Sequence, residues 1–302
     1  MERSYPSTIV NNQSTALTGP SYITDYVTSH DGTAIGYRQL GHGPGIIIVH
    51  GSLSTGYYHL QLAEALADAF TVYLPDRRGF GLSGPSSLDD GIQQDVQDLD
   101  ALLTKTGTQN VFGVSVGAII CLKAALSLPA IRKLAIYEPP LFKNRATPAE
   151  MMKRFDEEMA QGKVAAALAT AMKGAPLMSD IFGAMPHWLL EFMTGRMMSF
   201  KPSGDYASFR DLAPTLHHDG RLIIEMSGQQ ETLRAIRADV LVLGGSKSTT
   251  FLRTALESAA RVLPHARRVE FPGLNHGSSW NSDLRGKPDA IAQELRRYFT
   301  ET

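Results

Sequence analysis

The sequence contains one cysteine, almost no net charge and no long apolar run. A single cysteine, Cys121, excludes a framework of internal disulfides and is typical of a buried thiol in a reducing compartment. A formal net charge of −1 excludes the strongly basic surface with which proteins bind nucleic acid or anionic membranes. No apolar run approaches the ~18 residues of a transmembrane helix, and the polar residues 1–20 lack the apolar segment of a signal peptide. We therefore expect a cytoplasmic protein without a nucleic-acid partner or a membrane span, and its oligomeric state stays open.

The order of apolar and polar segments indicates an α/β protein. Continuous apolar strands such as residues 46–49 alternate with helices over residues 21–140 and again over 239–302. Such strands are typical of a mostly parallel central sheet with helices on both faces. Residues 141–238 show no strand pattern, so they are expected to form an inserted helical cap, with Thr147 as the N-cap of its first helix. Residues 1–20 are expected to be a polar N-terminal extension.

The methionines are confined to the predicted cap. All ten methionines other than Met1 fall between Met151 and Met226. Methionine is flexible and polarizable, so it suits surfaces that adapt to apolar partners. Filling of helix–helix seams is the simpler interpretation for any single methionine, but the confinement as a whole favours a lid over an apolar pocket.

The most informative motif is Gly113-Val114-Ser115-Val116-Gly117, a Gly-x-Ser-x-Gly pattern. It follows a short β-branched strand and precedes a segment of helical composition, from Gly117 to Leu128. A serine on such a sharp strand-to-helix turn has a strained backbone, and side chains at the flanking positions would collide unless both are glycine. The start of the following helix offers free N–H groups where an oxyanion would form. Ser115 is therefore a candidate nucleophile.

With His50-Gly51 after an earlier strand and His276 in a loop after the last strand, the chain resembles the α/β-hydrolase superfamily from about residue 22 to residue 300. The resemblance implies the fold class given above, with residues 141–238 as the variable cap. It also implies a catalytic triad in the chain order serine, acid, histidine. Ser115, Glu138 and His276 obey this order, with His276 as the general base, a role that imidazole performs well near neutral pH.

At the acid of this triad, the sequence departs from the commoner pattern of the superfamily. An Asp usually follows the strand before the histidine strand, but residues 243–250 contain no carboxylate and the next one, Glu257, falls inside a predicted helix. Glu138 ends the strand after the elbow helix, a place from which some members of the superfamily supply their acid. A purely structural role for Glu138, at the exit into the cap, is the alternative.

The resemblance also implies an oxyanion hole and a substrate pocket. One backbone donor is expected from Val116 and the other from Ser52, with Leu53 as the second choice. Candidate substrate-binding residues are Leu53, Tyr57, Trp188, Met197 and Trp280.

No cofactor or metal is expected. Residues 79–84 match a dinucleotide fingerprint by letter, but Pro85 and two serines delay the next helix, so no helix N-terminus would receive a pyrophosphate. The pair His217-His218 lacks the spacing of a helical metal site.

These features predict a serine hydrolase that cleaves an apolar carboxylic ester or lactone through an acyl-enzyme. Hydrolysis of a C–C bond or a thioester by the same triad stays open. So does a ligand receptor that keeps a residual hydrolase activity.

Overall fold

An eight-stranded sheet forms the centre of the computed structural model, which describes residues 22–175, 177, 179–199 and 204–301. The predicted extension over residues 1–20 lies outside the described residues. The strand order is β1-β2-β4-β3-β5-β6-β7-β8, and all neighbouring pairs are parallel except β1–β2 and β2–β4. The strands are β1 (Ile23–Thr28), β2 (Ala34–Gly41), β3 (Gly45–Val49), β4 (Thr71–Pro75), β5 (Asn110–Val114), β6 (Lys133–Tyr137), β7 (Asp239–Gly245) and β8 (Ala266–Phe271).

Eleven α-helices are found in the described residues. They are α1 (Leu60–Glu64), α2 (Ile92–Thr106), α3 (Val116–Ala125), α4 (Ala146–Ala160), α5 (Val164–Gly174), α6 (Ile181–Ala184), α7 (His187–Met198), α8 (Phe209–Leu212), α9 (Leu216–Met226), α10 (Thr250–Val262) and α11 (Pro288–Thr300). Short 3-10 segments cover Gly56–His59, Ala213–Thr215, Gln230–Ala235, His276–Ser279 and Ser282–Leu284.

Both faces of the sheet are covered by helices, as predicted. Helices α2, α3 and α10 share one apolar core with residues of β3, β5, β6 and β7. Helices α1 and α11 share a second core on the other face. Strands buried on both faces need continuous apolar runs, which explains why β3, β5 and β6 could be predicted from the sequence. Cys121 is buried in α3, and burial raises the pKa of its thiol.

The segment between β6 and β7 contains α4 to α9 and no strand among its described residues. Helix α9 packs against α3 and α4, so the inserted helices lie against the sheet-covering layer. The boundaries predicted for this cap, residues 141 and 238, remain a prediction.

One local prediction for this segment was wrong. Helix α4 begins at Ala146, so Thr147 is inside the helix rather than its N-cap. The side chain of Asn144 accepts hydrogen bonds from the Thr147 backbone N–H at 3.2 Å and from its hydroxyl at 3.3 Å. The asparagine thus supplies the capping oxygen that the sequence analysis assigned to threonine.

In the described part of the chain, no helix combines the length and apolar character that crossing a bilayer requires.

Candidate active site

Ser115 occupies the sharp turn between β5 and α3. Its backbone has φ 54° and ψ −120°, a conformation that non-glycine residues rarely adopt. A Cβ on Gly117 would lie 2.2 Å from the Val49 carbonyl oxygen, and one on Gly113 would lie 2.6 Å from the Ala118 Cα. Both contacts are with backbone atoms that cannot move aside alone, so the two flanking positions of the motif must be glycine.

Ser115, His276 and Glu138 come together in one chain of hydrogen bonds. Ser115 Oγ is 3.1 Å from His276 Nε2, and His276 Nδ1 is 2.9 Å from Glu138 Oε2. A carboxylate can only accept, so in the neutral imidazole Nδ1 carries the proton and donates it to Glu138. Nε2 is then free to accept from the serine hydroxyl. All three side chains are buried.

Glu138 is held from both of its oxygens. While Oε2 accepts from His276, Oε1 accepts from the Gly245 backbone N–H at 2.7 Å and from the Ser248 hydroxyl. The backbone of Glu138 has φ 48°, the left-handed region, which is costly for a residue with a Cβ. The carboxylate therefore has one fixed orientation, with one oxygen available to the imidazole.

Gly245 and Ser248 were missed as supporting residues by the sequence analysis. The end of β7 and the loop after it offer no carboxylate, and in the structure they contribute two donors to the carboxylate of Glu138, which directly follows β6. The hydroxyl-rich run over residues 246–250 is the signal that could have indicated this arrangement.

The loop that contains His276 is fixed by its neighbours. Tyr137 Oη donates a hydrogen bond to the Asn275 carbonyl at 2.7 Å, and burial raises the pKa of this phenol, which keeps it protonated as a donor. Ser246 Oγ accepts from the Gly273 N–H at 2.8 Å, and the Lys247 N–H donates to the Leu274 carbonyl at 2.9 Å. The imidazole is thus positioned by β6 and by the loop after β7 together.

Glu257, the alternative acid considered from the sequence, lies elsewhere. It is on α10 with an exposed side chain, 3.8 Å from Arg268. It makes no contact with His276 in the described structure.

The loop after β3 approaches the serine closely. A Cβ on Gly51 would lie 2.9 Å from the Ser115 Cβ, so this loop passes directly over the nucleophile. Leu53, at φ 50°, reverses the chain there, and both Ser52 and Leu53 line the cavity described below. Val116 is the first residue of α3, where a backbone N–H has no acceptor within the helix. The expected oxyanion donors are therefore close to Ser115.

His50 braces this loop. It accepts a hydrogen bond from the Arg77 backbone N–H through Nε2 at 3.0 Å, so Nδ1 is protonated and donates to the Gly51 carbonyl at 2.8 Å. Burial, together with the nearby charge of Arg77, holds the pKa of His50 well below its usual value. The imidazole is neutral and has a supporting place beside the site.

A cavity of about 330 Å³ opens over Ser115 and His276. Three of the five predicted pocket residues, Leu53, Met197 and Trp280, line it. The remaining lining residues that reach it from the inserted segment are mostly apolar and include the methionines Met151, Met152 and Met172. Several of the methionines whose distribution favoured an apolar lid thus form part of the cavity wall, and the lid itself stays a prediction.

Tyr57 and Trp188 are not among the residues that line the cavity. Tyr57 packs edge-on against Tyr206, with ring centroids 4.9 Å apart. Trp188 is on the outer side of α7, where 68% of it is exposed. An aromatic residue looks the same in the sequence whether it faces the cavity or not, so the sequence alone did not separate lining from non-lining aromatic residues.

Asp219 lines the cavity without having been singled out from the sequence. No motif surrounds it, and its neighbours His217 and His218 were considered only as a metal pair. Those histidines point to separate partners: His217 is 2.8 Å from Asp156, and His218 is 2.7 Å from Asp95. Residues 79–84, which match the dinucleotide fingerprint by letter, are followed by a helix only from Ile92, where α2 begins, so the next helix is delayed as the sequence suggested.

Comparisons with known proteins find similar sequences and structures over most of the chain. A family model described as the alpha/beta hydrolase family matches residues 46–294. A pimeloyl-[acyl-carrier protein] methyl ester esterase of Xanthomonas axonopodis pv. citri is 24% identical over 268 residues, which cover 86% of this chain and 96% of that protein.

Solved structures match over similar lengths. An alpha/beta hydrolase from Sphaerobacter thermophilus has a TM-score of 0.73 and 29% identity, covering 91% of this chain and 100% of that one. An enol-lactonase from Burkholderia xenovorans LB400 has a TM-score of 0.66 at 18% identity, covering 92% and 100%. The second likeness concerns the fold alone.

Proposed function

The chain belongs to the alpha/beta hydrolase family, and on that premise we propose that it is a serine hydrolase that cleaves an apolar carboxylic ester or lactone through an acyl-enzyme. The fold predicted from the sequence, a mostly parallel sheet with a helical insertion, is confirmed by the family and structural matches. Fold membership does not choose the reaction, so the proposal depends on the site.

The observation that carries the proposal is the continuous hydrogen-bond chain from Ser115 through His276 to Glu138 at the floor of an apolar cavity. Ser115 is held in a strained backbone conformation, with φ 54°. Strain of this kind persists where the surrounding structure enforces it, and it clusters at functional sites.

In the proposed acylation step, Ser115 Oγ attacks the carbonyl carbon of the substrate while His276 Nε2 takes the hydroxyl proton. The imidazolium that forms is stabilised by Glu138, whose Oε2 already accepts from Nδ1 at 2.9 Å. His276 then gives its proton to the departing alkoxide, and an ester bond to Ser115 remains.

The oxyanion of the tetrahedral intermediate would be bound by backbone donors. We assign these to the N–H groups of Val116 and Ser52, with Leu53 as the alternative to Ser52. Each such donor typically contributes 10²–10³ in kcat. Water, deprotonated by the same imidazole, releases the acid product and restores Ser115.

The apolar character of the substrate is proposed from the cavity wall. Except for Ser115, His276, Ser52 and Asp219, the lining side chains are apolar or aromatic. Ester cleavage is further supported by the curated relative, whose name describes a methyl ester esterase. Open-chain ester and lactone are both compatible with a cavity of this size.

The test is intact-mass analysis after treatment with a fluorophosphonate, for the wild-type chain, Ser115→Ala and the control Ser127→Ala. Ser127 lies just beyond the other end of α3 and is not part of the site. We expect one adduct on the wild type and the control and none on Ser115→Ala, with kcat for nitrophenyl esters lowered by about 10⁴ or more in that variant. Labelling that persists in a folded Ser115→Ala would place the nucleophile elsewhere.

A panel of esters, lactones, thioesters and C–C substrates then identifies the bond. Fast turnover of simple esters supports the proposed reaction. Labelling of Ser115 with negligible turnover of every substrate would instead favour the receptor alternative.

A further inference from the structure

Most of the cavity wall comes from the inserted helices. Ser115, His276 and the loop after β3 lie at the floor, whereas each of the helices α4 to α9 contributes at least one lining residue. Helix α4 contributes Met151 and Met152, and the lining residues of α9 include Gly220. The width of the cavity therefore depends on where the two methionine side chains of α4 lie.

Gly220 lies in the middle of α9, where glycine is an unfavourable residue. It loses more backbone freedom on folding than alanine does, so a glycine inside a helix calls for a packing reason. A Cβ on Gly220 would overlap Met152 Sδ and would lie 2.6 Å from both Cε and Cγ of the same side chain. The Met152 side chain thus occupies the place that any side chain at Gly220 would take.

The same contact is found between α4 and α5. Gly174 is the last residue of α5, and a Cβ there would lie 2.5 Å from Met151 Sδ and 2.6 Å from its Cγ. Met151 and Met152 are consecutive on α4, so their side chains leave the helix about 100° apart. Helix α4 packs against both α5 and α9. Each of the two methionines is therefore seated on a glycine of a different neighbouring helix.

The cavity is the free space beside these methionines. Met152 shares a small buried cluster with Phe155 and Ala167, and both of these residues are fully buried. Protein interiors are close-packed, so that side offers no room for a displaced side chain. A methionine side chain that is pushed away from Gly220 therefore turns into the cavity and narrows it.

We propose that Gly220 and Gly174 determine substrate specificity, because each keeps a methionine of α4 out of the cavity and so leaves room for an extended apolar chain. The substrate class is then an ester or lactone with an apolar chain that reaches between the inserted helices. This inference rests on the proposed serine hydrolase function and adds to it the residues that set the accepted chain length.

The dependence of kcat/KM on chain length tests the proposal. Nitrophenyl esters of linear acids, from acetate to decanoate, extend the acyl side, and linear alkyl acetates, from methyl to decyl, extend the alcohol side. We expect kcat/KM of the wild type to rise with chain length in the series whose chain enters the cavity. In Gly220→Ala, the ratio of long-chain to short-chain kcat/KM in that series should fall by about tenfold, the lower end of what one methylene contributes to discrimination in an apolar pocket.

The variant Met152→Ala tests whether the methionine causes this loss. It removes all three atoms that a Cβ on Gly220 would meet first, so Gly220→Ala combined with Met152→Ala should recover the wild-type ratio or exceed it. The double-mutant cycle isolates the coupling between the two positions. The matched control is Gly195→Ala in α7, which does not line the cavity and whose new Cβ would meet Ala165 Cβ at 3.9 Å. It should leave the ratio unchanged.

The outcomes separate the two proposals. If no ester is cleaved and Ser115 is not labelled by a fluorophosphonate, the proposed function itself fails. If esters are cleaved but kcat/KM does not rise with chain length in either series, or the ratio in folded Gly220→Ala equals that of the wild type, only the assignment of the glycines fails. It also fails if the folded double variant shows no recovery. Thermal unfolding shows which variants are folded, and if Gly220→Ala is not, Gly174→Ala decides by the same ratio, since it displaces Met151.

Discussion

Glu138 illustrates how much of this site depends on single residues. Its two oxygens accept from three different donors, and its backbone adopts a left-handed conformation at the very end of β6. A residue with a purely structural role would not need both these hydrogen bonds and this backbone conformation. The arrangement is the one that a carboxylate requires to hold an imidazole in one tautomer and to stabilise its charged form.

The first prediction follows from this geometry. Glu138→Gln keeps the shape but removes the charge, so kcat should fall by roughly 10²–10⁴ while KM changes little. Steady-state kinetics on a nitrophenyl ester measures both. The control Glu257→Gln changes the exposed glutamate on α10 and should behave as wild type. A near-normal kcat for Glu138→Gln would mean that His276 works without this acid.

At the scale of elements, the β5–Ser115–α3 turn depends on its close approach to β3. Gly117→Ala would place a Cβ 2.2 Å from the Val49 carbonyl oxygen, so α3 must move away from β3. We expect the free energy of unfolding to fall by about 1–3 kcal/mol, as for other overpacked sites, and kcat to fall because Ser115 moves.

The control for this change is Gly195→Ala in α7, where the nearest atom to the new Cβ would be Ala165 Cβ at 3.9 Å. Alanine has the better helix propensity, so this variant should gain up to about 1 kcal/mol. Denaturant unfolding measures both variants. Equal stability of Gly117→Ala and wild type would show that the turn tolerates the shift.

The inserted helices should control substrate preference rather than reactivity. Met197 on α7 lines the cavity, whereas Met193 on the same helix does not and is partly exposed. Met197→Ser should lower kcat/KM for a long-chain ester by roughly tenfold, because it removes an apolar contact, and should leave an acetate ester nearly unchanged. Met193→Ser should affect neither. If acetate and long-chain esters lose activity equally with Met197→Ser, the helix belongs to the catalytic machinery.

The strands and the site motifs were predictable from sequence for a physical reason. A strand buried on both faces needs an apolar run, and the serine turn needs glycines at fixed spacing, so both leave local signals. The direction in which a helical side chain points leaves no such local signal. Trp188 and Met197 are on the same helix with similar composition around them, and only the packing of α7 places one outside and the other at the cavity. The position of Asp219 depends likewise on Arg77, which lies 142 residues away in the chain.

For the whole molecule, a buried set of charges connects the inserted helices to the core. His218 on α9 is 2.7 Å from Asp95 on α2, and the charges of Arg77 and Asp219 also act on it. Burial alone would lower the pKa of His218, but the hydrogen bond and charge of Asp95 outweigh it, so the pKa is raised above its ordinary value. The bound proton therefore stabilises the folded state.

The sign of the pH dependence follows. The contribution of His218 is complete below the unfolded pKa, about 6.5, and is lost as the pH rises through the raised pKa of the folded state. The free energy of unfolding of wild type relative to His218→Asn should decrease over that interval, with a slope of at most about 1.4 kcal/mol per pH unit for one proton. Denaturant titrations at a series of pH values measure it. A difference that grows with pH would contradict the assignment.

The hydroxyl of Ser248, on the loop after β7, donates to Oε1 of Glu138, the carboxylate whose other oxygen faces His276. That loop is where the commoner members of the superfamily place their aspartate. Glu138→Ala combined with Ser248→Asp should therefore recover at least about tenfold of the kcat lost in Glu138→Ala alone, because a carboxylate is restored beside the imidazole. No recovery in a folded double variant would show that the loop cannot supply the acid. Recovery would mean that two substitutions are enough to exchange one acid for the other during evolution. The absence of an aspartate at the usual position would then be weak evidence of lost activity in any relative with this loop.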